Sequence, residues 1–538
     1  MKKEQNAFTL VELLAVIVVL AIVLIIAVPG VLSIINKTKD SAYDRQVDMI
    51  KNAAKNYVTA NTITWLGDNP KSTLVTLDML QSGGYLDKKI IDPRNKKEIL
   101  CANVLVSKDN KNKITYDVDM TCNDVQPITP RVGSGMIPIV YDGTNWRKAD
   151  VSNKNFAWFN YGNQQWANVA TITEDVRQTL LDAPDGTVVL MDKINTMFTW
   201  IPRFKYKLFN VDGTVSPVGN KNLAGDYMID IKFETASTTK STGTQNGQWL
   251  THPAFTSGNE EIEGFWIAKF ETGYLDATTT TEASQNTTDA TKVVIKPNQY
   301  SWRGISIGNA FHLSQNMATV TTFGLSNDTI HVERNLEWGA VAYLTSSKYG
   351  KTGNPEYGRN EKEVTTNNYN QFVTGCGTRI ITNNPSSSCH PYDTSDGQAA
   401  STTGNITGVY DLNGSATEYI MGVITDDSGK VLVGPSQFDP TELAQLAQDG
   451  KYLDTYLPGE QTDFSRGKLG DATIEMGPFQ TDKTSWYNDI GKMVGKEISS
   501  NGWFIRGGRF DDKELSGIFA FNGWWTGAGA ATFRIVMN

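Results

Sequence analysis

The side chains best suited to chemistry in this 538-residue chain are four cysteines and four histidines. The cysteines fall into two local pairs, Cys101 with Cys122 and Cys376 with Cys389, and this spacing favours two disulfides formed outside the reducing cytoplasm. A metal site is the alternative for either pair, but neither has CxxC spacing, and only His390 is close to a cysteine. The other histidines are scattered outside any recognisable nucleophile or zinc motif: His252, His312 and His331.

The apolar run of residues 8–28 contains a single ionisable side chain, Glu12. The run has about the 20 residues that an α-helix needs to cross a hydrocarbon core. A carboxylate inside such a helix is costly and normally signals a partner or a function. A secretory signal would place a small-residue cleavage site after the run, where residues 27–29, AVP, are a poor match. We therefore expect any cleavage before the run.

The start of the run resembles the leader of type IV prepilins and pseudopilins. Residues 8–12, FTLVE, fit the family's FTLxE sequence, and Pro29 falls where the family tends to carry proline. The resemblance implies cleavage between Ala7 and Phe8, N-methylation of Phe8, and assembly contacts through Glu12 and Pro29. Alanine at position 7 departs from the usual glycine, but it is also small.

The same resemblance implies a location and a set of partners. The precursor would be a single-pass protein of the cytoplasmic membrane, and the processed chain would belong to an extracellular or cell-surface filament. Its partners would be the prepilin peptidase and other pilin subunits, with Glu12 pairing with the α-amino group of a neighbouring subunit's Phe8. The alternative is a single-pass anchor whose Glu12 lies near the headgroups.

The length predicts two to four domains, and the helices and strands expected along the chain, together with the family resemblances, indicate an α+β multidomain protein. The chain is 39% hydrophobic and 20% charged, an ordinary globular balance, and its formal net charge of −9 argues against nucleic acid as the main ligand. We predict these segments: a leader at 1–7, a helix at 8–62 with the filament core at 8–28, a small α+β head at 63–125, a linker at 126–135, a small aromatic-rich β module at 136–187, and a large irregular α+β domain at 188–538.

Local patterns place elements in these segments. The head at 63–125 contains a predicted helix around residues 76–81 and strands at 99–107 and 113–120, an order similar to that of a pseudopilin head. The aromatic residues of 136–175 could form a carbohydrate platform, but in so small a module they favour a core. In the large domain, residues 200–206 and 265–271 predict strands, and residues 335–344 predict an amphipathic helix.

Three landmarks of the large domain resemble the C-type-lectin-like fold of the formylglycine-generating-enzyme type. They are the helix with Glu337-Trp338, the segment GVYDLNGSATEY at 408–419, and the closing FIRGG at 504–508 with FRIV at 533–536. The family's middle segment is GLYDMxGNVWEW, so Thr417 replaces a tryptophan here.

The enzymatic activity does not follow from this resemblance. The enzymes place two cysteines after the RGG turn, where this chain has Asp512 and Gly517, so neither the copper site nor the thiol chemistry of the enzymes is expected. We expect no catalytic residues, no metal and no cofactor, although a structural calcium ion stays open. A calcium-dependent lectin is weakly supported, because residues 354–356, NPE, have the residues of an EPN tripeptide in the wrong order.

The resemblance also implies a scaffold with a variable face between RGG and FR. The candidate ligand-binding residues on that face are Arg509, Asp511, Asp512, Lys513, Phe521, Asn522, Trp524 and Trp525. Adjacent tryptophans in a strand point to opposite faces, so one is expected to be exposed. The leading hypothesis is a non-catalytic minor pilin that presents an adhesin head, probably at the filament tip, to an unknown protein or glycan. The alternatives are the target protein of a diversity-generating retroelement and a pilin-anchored surface enzyme.

Overall fold

The computed structural model forms two compact units, residues 1–124 and 125–538, and is mixed α+β with many small sheets and few helices. It describes residues 37–60, 71–94, 96, 99, 102–108, 113–120, 129–152, 157–208, 229–243, 248–326, 329–353, 363–378, 385–431, 434–474, 489–495, 502–524 and 531–538. The positions predicted for processing, assembly and the first disulfide lie outside these residues: Ala7, Phe8, Glu12, Pro29, Cys101 and Cys122.

The first unit packs a helix against an antiparallel sheet. The helix (α1) covers residues 37–60, and its buried side includes Ile50, Ala54 and Val58. The other elements are β1 (Lys71–Thr76), α2 (Leu77–Ser82), β2 (Asn103–Lys108) and β3 (Ile114–Asp119), with the strands in the order β1-β2-β3. The predicted helix and the two later strands are present, and β1 is an addition to the prediction.

The second unit is built mainly from short strands. In chain order they are β4 (Met136–Tyr141), β5 (Trp146–Lys148), β6 (Asn168–Ile172), β7 (Ile194–Pro202), β8 (Phe204–Lys207), β9 (Asp230–Phe233), β10 (Leu250–Thr251), β11 (Thr256–Ser257), β12 (Glu260–Glu261), β13 (Gly264–Ala268), β14 (Gly273–Tyr274), β15 (Val293–Val294), β16 (Ile330–Val332), β17 (Glu418–Ile424), β18 (Asp454–Tyr456), β19 (Trp503–Gly507), β20 (Gly517–Trp524), β21 (Thr532–Phe533) and β22 (Ile535–Met537).

These strands form one large sheet and several smaller ones. The largest has the order β16-β22-β13-β7-β6-β4-β5. A second sheet has the order β18-β17-β19-β20, with β21 paired to β17, and a third has the order β10-β8-β9. The remaining strands pair as β11-β12 and β14-β15. One hydrophobic core runs through this unit.

The predicted boundary between residues 136–187 and 188–538 is wrong. Strands β4, β5 and β6 belong to the same sheet as β7, because β6 pairs antiparallel with β7 from Asn168 to Ile172. The tryptophans of this segment, Trp146, Trp158 and Trp166, are buried in the core of the second unit. These tryptophans therefore fill a core, which is the role that the sequence favoured over a carbohydrate platform. The core is that of the whole second unit and not of a small separate module.

The α-helices described in the second unit are α3 (Glu174–Asp182), α4 (Ile307–Asn316), α5 (Asn335–Thr345), α6 (Ser395–Gln398) and α7 (Pro440–Asp449). The amphipathic character predicted for residues 335–344 is wrong, because every residue of α5 is buried. A helix that is enclosed on all sides presents no polar face to water. Elsewhere in this unit, Cys376 and Cys389 are joined by the predicted disulfide, with Cα atoms 4.8 Å apart.

Candidate functional site

The turn after β19 requires its two glycines. Gly507 and Gly508 have φ values of +84° and +78°, which side-chain-bearing residues rarely adopt. A Cβ on Gly508 would lie 2.6 Å from the Cβ of Ser516, and one on Gly507 would lie 3.1 Å from the Leu412 carbonyl oxygen. The chain can therefore turn closely here and lead from β19 into β20.

A buried ion pair connects the closing segment to the middle landmark. The Arg534 guanidinium donates to both carboxylate oxygens of Glu418, over 3.0 and 2.6 Å, and both side chains are almost fully buried. It also donates to the carbonyl oxygens of Ala268 and Tyr410. These bonds satisfy a charge that would be costly to bury alone, and they hold β17 beside the chain end.

A second group of buried polar side chains lies at the first turn of helix α5. The Glu337 carboxylate accepts hydrogen bonds from the Arg334 backbone N–H at 2.8 Å and from the Arg334 side chain at 3.2 Å, and it lies 3.0 Å from His331 Nε2. These partners lower the pKa of Glu337 to about 2 despite its burial. The next residue, Trp338, donates from its indole to the Ile518 carbonyl oxygen, so α5 positions β20 directly.

The segment that follows the glycine turn borders a cavity of about 330 Å³. Five of the eight predicted ligand-binding residues line it: Arg509, Asp511, Asp512, Phe521 and Asn522. The other lining residues are Thr417, Ile490, Ile505, Arg506, Gly508, Leu515 and Ala520. The cavity thus combines apolar walls with a few convergent polar groups, which is the usual composition of a ligand pocket.

The other three predicted ligand-binding residues are Lys513, Trp524 and Trp525, and they are not among the described residues that line the cavity. Lys513 is exposed and does not line the cavity. Phe521, which lines the cavity, is only 1% exposed and packs against Phe464 with ring centroids 6.0 Å apart. Trp525 and the side chain of Trp524 lie outside the described part of the chain. Phe521 is therefore a wall of the cavity and not a protruding contact.

A fixed ion pair stands at the edge of the cavity. Arg509 donates from Nε to Asp511 Oδ1 at 2.8 Å and from Nη2 to Asp511 Oδ2 at 2.6 Å, and the hydrogen bonds to Asp511 raise the pKa of Arg509. The backbone N–H of Arg509 donates to Asp512 Oδ2 at 2.7 Å. Burial nevertheless raises the pKa of Asp512, because it destabilises the charged carboxylate. The hydrogen bond from the Arg509 backbone holds that carboxylate in place.

A buried arginine, Arg506, is among the residues that line the cavity. Arg506 is 1% exposed and its guanidinium lies 5.5 Å from the ring centroids of Trp338 and Phe521. Nη2 donates to the Asp471 carbonyl oxygen, whereas Nε and Nη1 have no hydrogen-bond partner among the described residues. Burial lowers the pKa of Arg506 to about 10.

Several cavity residues were not among the predicted site residues. Thr417 and Arg506 stand in the landmark motifs but were assigned no ligand contact. No nearby residue pattern marks Ile490 as a cavity residue, because long-range hydrogen bonds bring it there. Its backbone N–H donates to the Leu515 carbonyl oxygen, and its carbonyl oxygen accepts from the Phe521 N–H. Sequence spacing alone cannot indicate such a contact.

Asp512 and Gly517, the two positions at which the resemblance to formylglycine-generating enzymes would place cysteines, are both closely packed. Asp512 is engaged by the Arg509 backbone, and Gly517 lies so close to Asp489 that a Cβ there would meet the carboxylate at 2.1 Å. Within the described ranges, no group of three or more histidine, cysteine, aspartate and glutamate side chains could hold a metal ion. Residues 354–356 lie outside those ranges.

The comparison with known protein families identifies the amino terminus. The family described as the prokaryotic N-terminal methylation motif matches residues 2–28. The chain therefore has a type IV prepilin-like N-terminus, which implies in general a membrane-anchored precursor, processing by a prepilin peptidase and assembly with pilin subunits. No curated protein matches the chain. Among the helices that the structure describes, none is long and apolar enough to cross a membrane.

Proposed function

We propose that this protein is a non-catalytic minor type IV pilin whose second unit, residues 125–538, is a ligand-binding head with a C-type-lectin-like fold. The N-terminal methylation motif supports the pilin part of the proposal. The size of the head supports the minor role, because a head this large is difficult to repeat at the subunit density of a helical filament. Display at the filament tip avoids that repetition.

The observation that carries the binding role is the cavity beside the glycine turn. It gathers five residues that were selected from sequence for lying between the RGG and FR motifs. Its lining also carries the Arg509–Asp511 ion pair, a charged group beside mostly apolar walls.

The lining of the cavity defines the kind of ligand. Ile490, Ile505, Leu515 and Phe521 provide apolar contact, and Arg509 and Asp511 provide charged groups. We therefore propose a protein or glycan ligand that inserts a small apolar group carrying a carbonyl, carboxylate or similar acceptor. The proposed binding needs no metal or cofactor.

A cavity-filling variant tests this proposal. The full chain, solubilised in a neutral detergent, is applied to glycan and host-protein arrays as the wild type, as Thr417→Trp and as Thr319→Trp. Thr417 lines the cavity, whereas Thr319 is exposed elsewhere. We expect ligands of the wild type to lose about tenfold or more in affinity with Thr417→Trp and to be retained by Thr319→Trp. Binding that is indifferent to Thr417→Trp, or an array without ligands, would overturn the proposal.

A further inference from the structure

The sheet β10-β8-β9 separates apolar from basic side chains. Along β8, Phe204 and Tyr206 are buried, whereas Lys205 and Lys207 are partly exposed. This period-two alternation places both lysines on the outer face of the sheet. Because they are two positions apart in one strand, their Cα atoms are separated by roughly 7 Å.

The neighbouring strand adds a third lysine to this face. Lys232 of β9 lies directly opposite Lys205, and Asp230 lies opposite Lys207 and forms an ion pair with it at 3.2 Å. Like charges directly opposite each other destabilise a sheet. Burial and the nearby Lys348 lower the pKa of Lys232. Three lysines therefore stand close together on this face of the sheet.

The indole of Trp249 lies among these lysines. The ammonium groups of Lys205, Lys207 and Lys232 are 5.8, 5.2 and 4.8 Å from its ring centroid. A cation near an aromatic face is attracted by the ring quadrupole, so the ring keeps the three charges close together. We define Lys205, Lys207, Lys232 and Trp249 as the lysine-tryptophan cluster.

We propose that the lysine-tryptophan cluster binds an acidic polysaccharide, in a site separate from the cavity beside the glycine turn. Ammonium groups spread over two strands match a polymer with repeated carboxylates or sulfates. The indole gives the C–H face of a sugar ring a partner, because the aromatic face is negative. The net charge of the whole chain is −9, so attraction of a polyanion must come from a local patch and not from the overall field.

Binding is measured with the full chain in a neutral detergent, using heparin as a sulfated probe, polygalacturonate as a carboxylated probe and dextran as a neutral control. The test variant is Lys205→Gln/Lys207→Gln/Lys232→Gln, and the matched control is Lys292→Gln/Lys430→Gln/Lys451→Gln. A second variant, Trp249→Ala, keeps every charge and removes the ring. Thermal unfolding checks that each variant is folded.

We expect both acidic probes to bind and dextran not to bind. The test variant should lose about tenfold or more in affinity and Trp249→Ala about threefold or more, while the control triple variant stays within about twofold. Binding should weaken sharply as the Debye length falls from about 10 Å at 0.1 M salt to about 3 Å at 1 M. Equal binding by the test and control variants would overturn the proposal. So would unchanged binding by Trp249→Ala, or tighter binding to phosphatidylserine vesicles than to either polysaccharide.

Discussion

Arg509 and Asp511 face each other at the edge of the cavity through two parallel hydrogen bonds of 2.8 and 2.6 Å. Each side chain is 37% exposed. An exposed ion pair contributes little to stability, but a two-pronged contact fixes the plane of the guanidinium. The pair therefore determines the shape and charge of the cavity entrance more than it holds the fold together.

Replacement of Asp511 by asparagine should separate binding from stability. We expect ligand affinity to change by about threefold or more, because Arg509 loses its fixed orientation, while the free energy of unfolding changes by about 1 kcal/mol or less. Equilibrium denaturation and the array ligand measure the two effects. The control is Asp185→Asn, at an exposed position outside the cavity. A loss of several kcal/mol in stability would show that the pair is structural instead.

Processing should depend on the size of residue 7. The wild type and Ala7→Gly are expected to be cleaved before Phe8, whereas the bulkier Ala7→Leu should stay uncut, because the resemblance to prepilins implies a small residue at this position. Intact-mass measurement of protein from the native host should give a chain that begins with N-methylated Phe8. Cleavage of Ala7→Leu at the same bond, or a mature chain beginning elsewhere, would contradict the assignment.

Acid should weaken the second unit through His252. This side chain is completely buried, its Nδ1 accepts from the Ala254 N–H at 3.2 Å, and burial lowers its pKa to about 3. The unfolded chain binds a proton near pH 6.5, so the stabilising contribution is present above about pH 6.5 and is lost as the pH falls toward about 3. The loss is at most about 1.4 kcal/mol per pH unit.

Denaturation profiles between pH 7 and pH 4 check this dependence. His252→Asn should have lower stability throughout but a smaller slope with pH than the wild type. His390→Asn provides the control, since that side chain is 41% exposed and its removal should leave the slope unchanged. A wild-type slope in His252→Asn would show that other groups cause the acid sensitivity.

Removal of the second disulfide should destabilise the unit of residues 125–538. Cys376 and Cys389 are separated by 13 positions, and a loop of about this size is worth about 3 kcal/mol when cross-linked. The variant Cys376→Ser/Cys389→Ser should therefore lose about 2–4 kcal/mol in urea denaturation. The wild type under reducing conditions should unfold at the same urea concentration as the variant. An unchanged midpoint in both experiments would contradict the prediction.

Local signals predicted the elements that depend on nearby residues. Helix α2 and strands β2 and β3 lie where turn residues and periodicity placed them. The full burial of α5 was missed because Glu337 resembles a solvent-facing residue, whereas Arg334 hydrogen-bonds its carboxylate and His331 lies within hydrogen-bond distance of it inside the fold. The sequence also indicated the segment beside the glycine turn as a candidate site. It could not indicate the long-range contacts that complete the cavity, such as those of Ile490 with Leu515 and Phe521.

Antibody labelling of surface filaments tests the central claim most directly. Gold-labelled antibodies against residues 200–538 are applied to filaments from wild-type cells and from cells carrying Glu12→Gln, in which the resemblance implies loss of the assembly contact. The account predicts discrete labels at filament ends in the wild type and none on filaments of the variant. Dense labelling along the whole filament would contradict the minor, tip-located role, and filaments without label would contradict the pilin assignment.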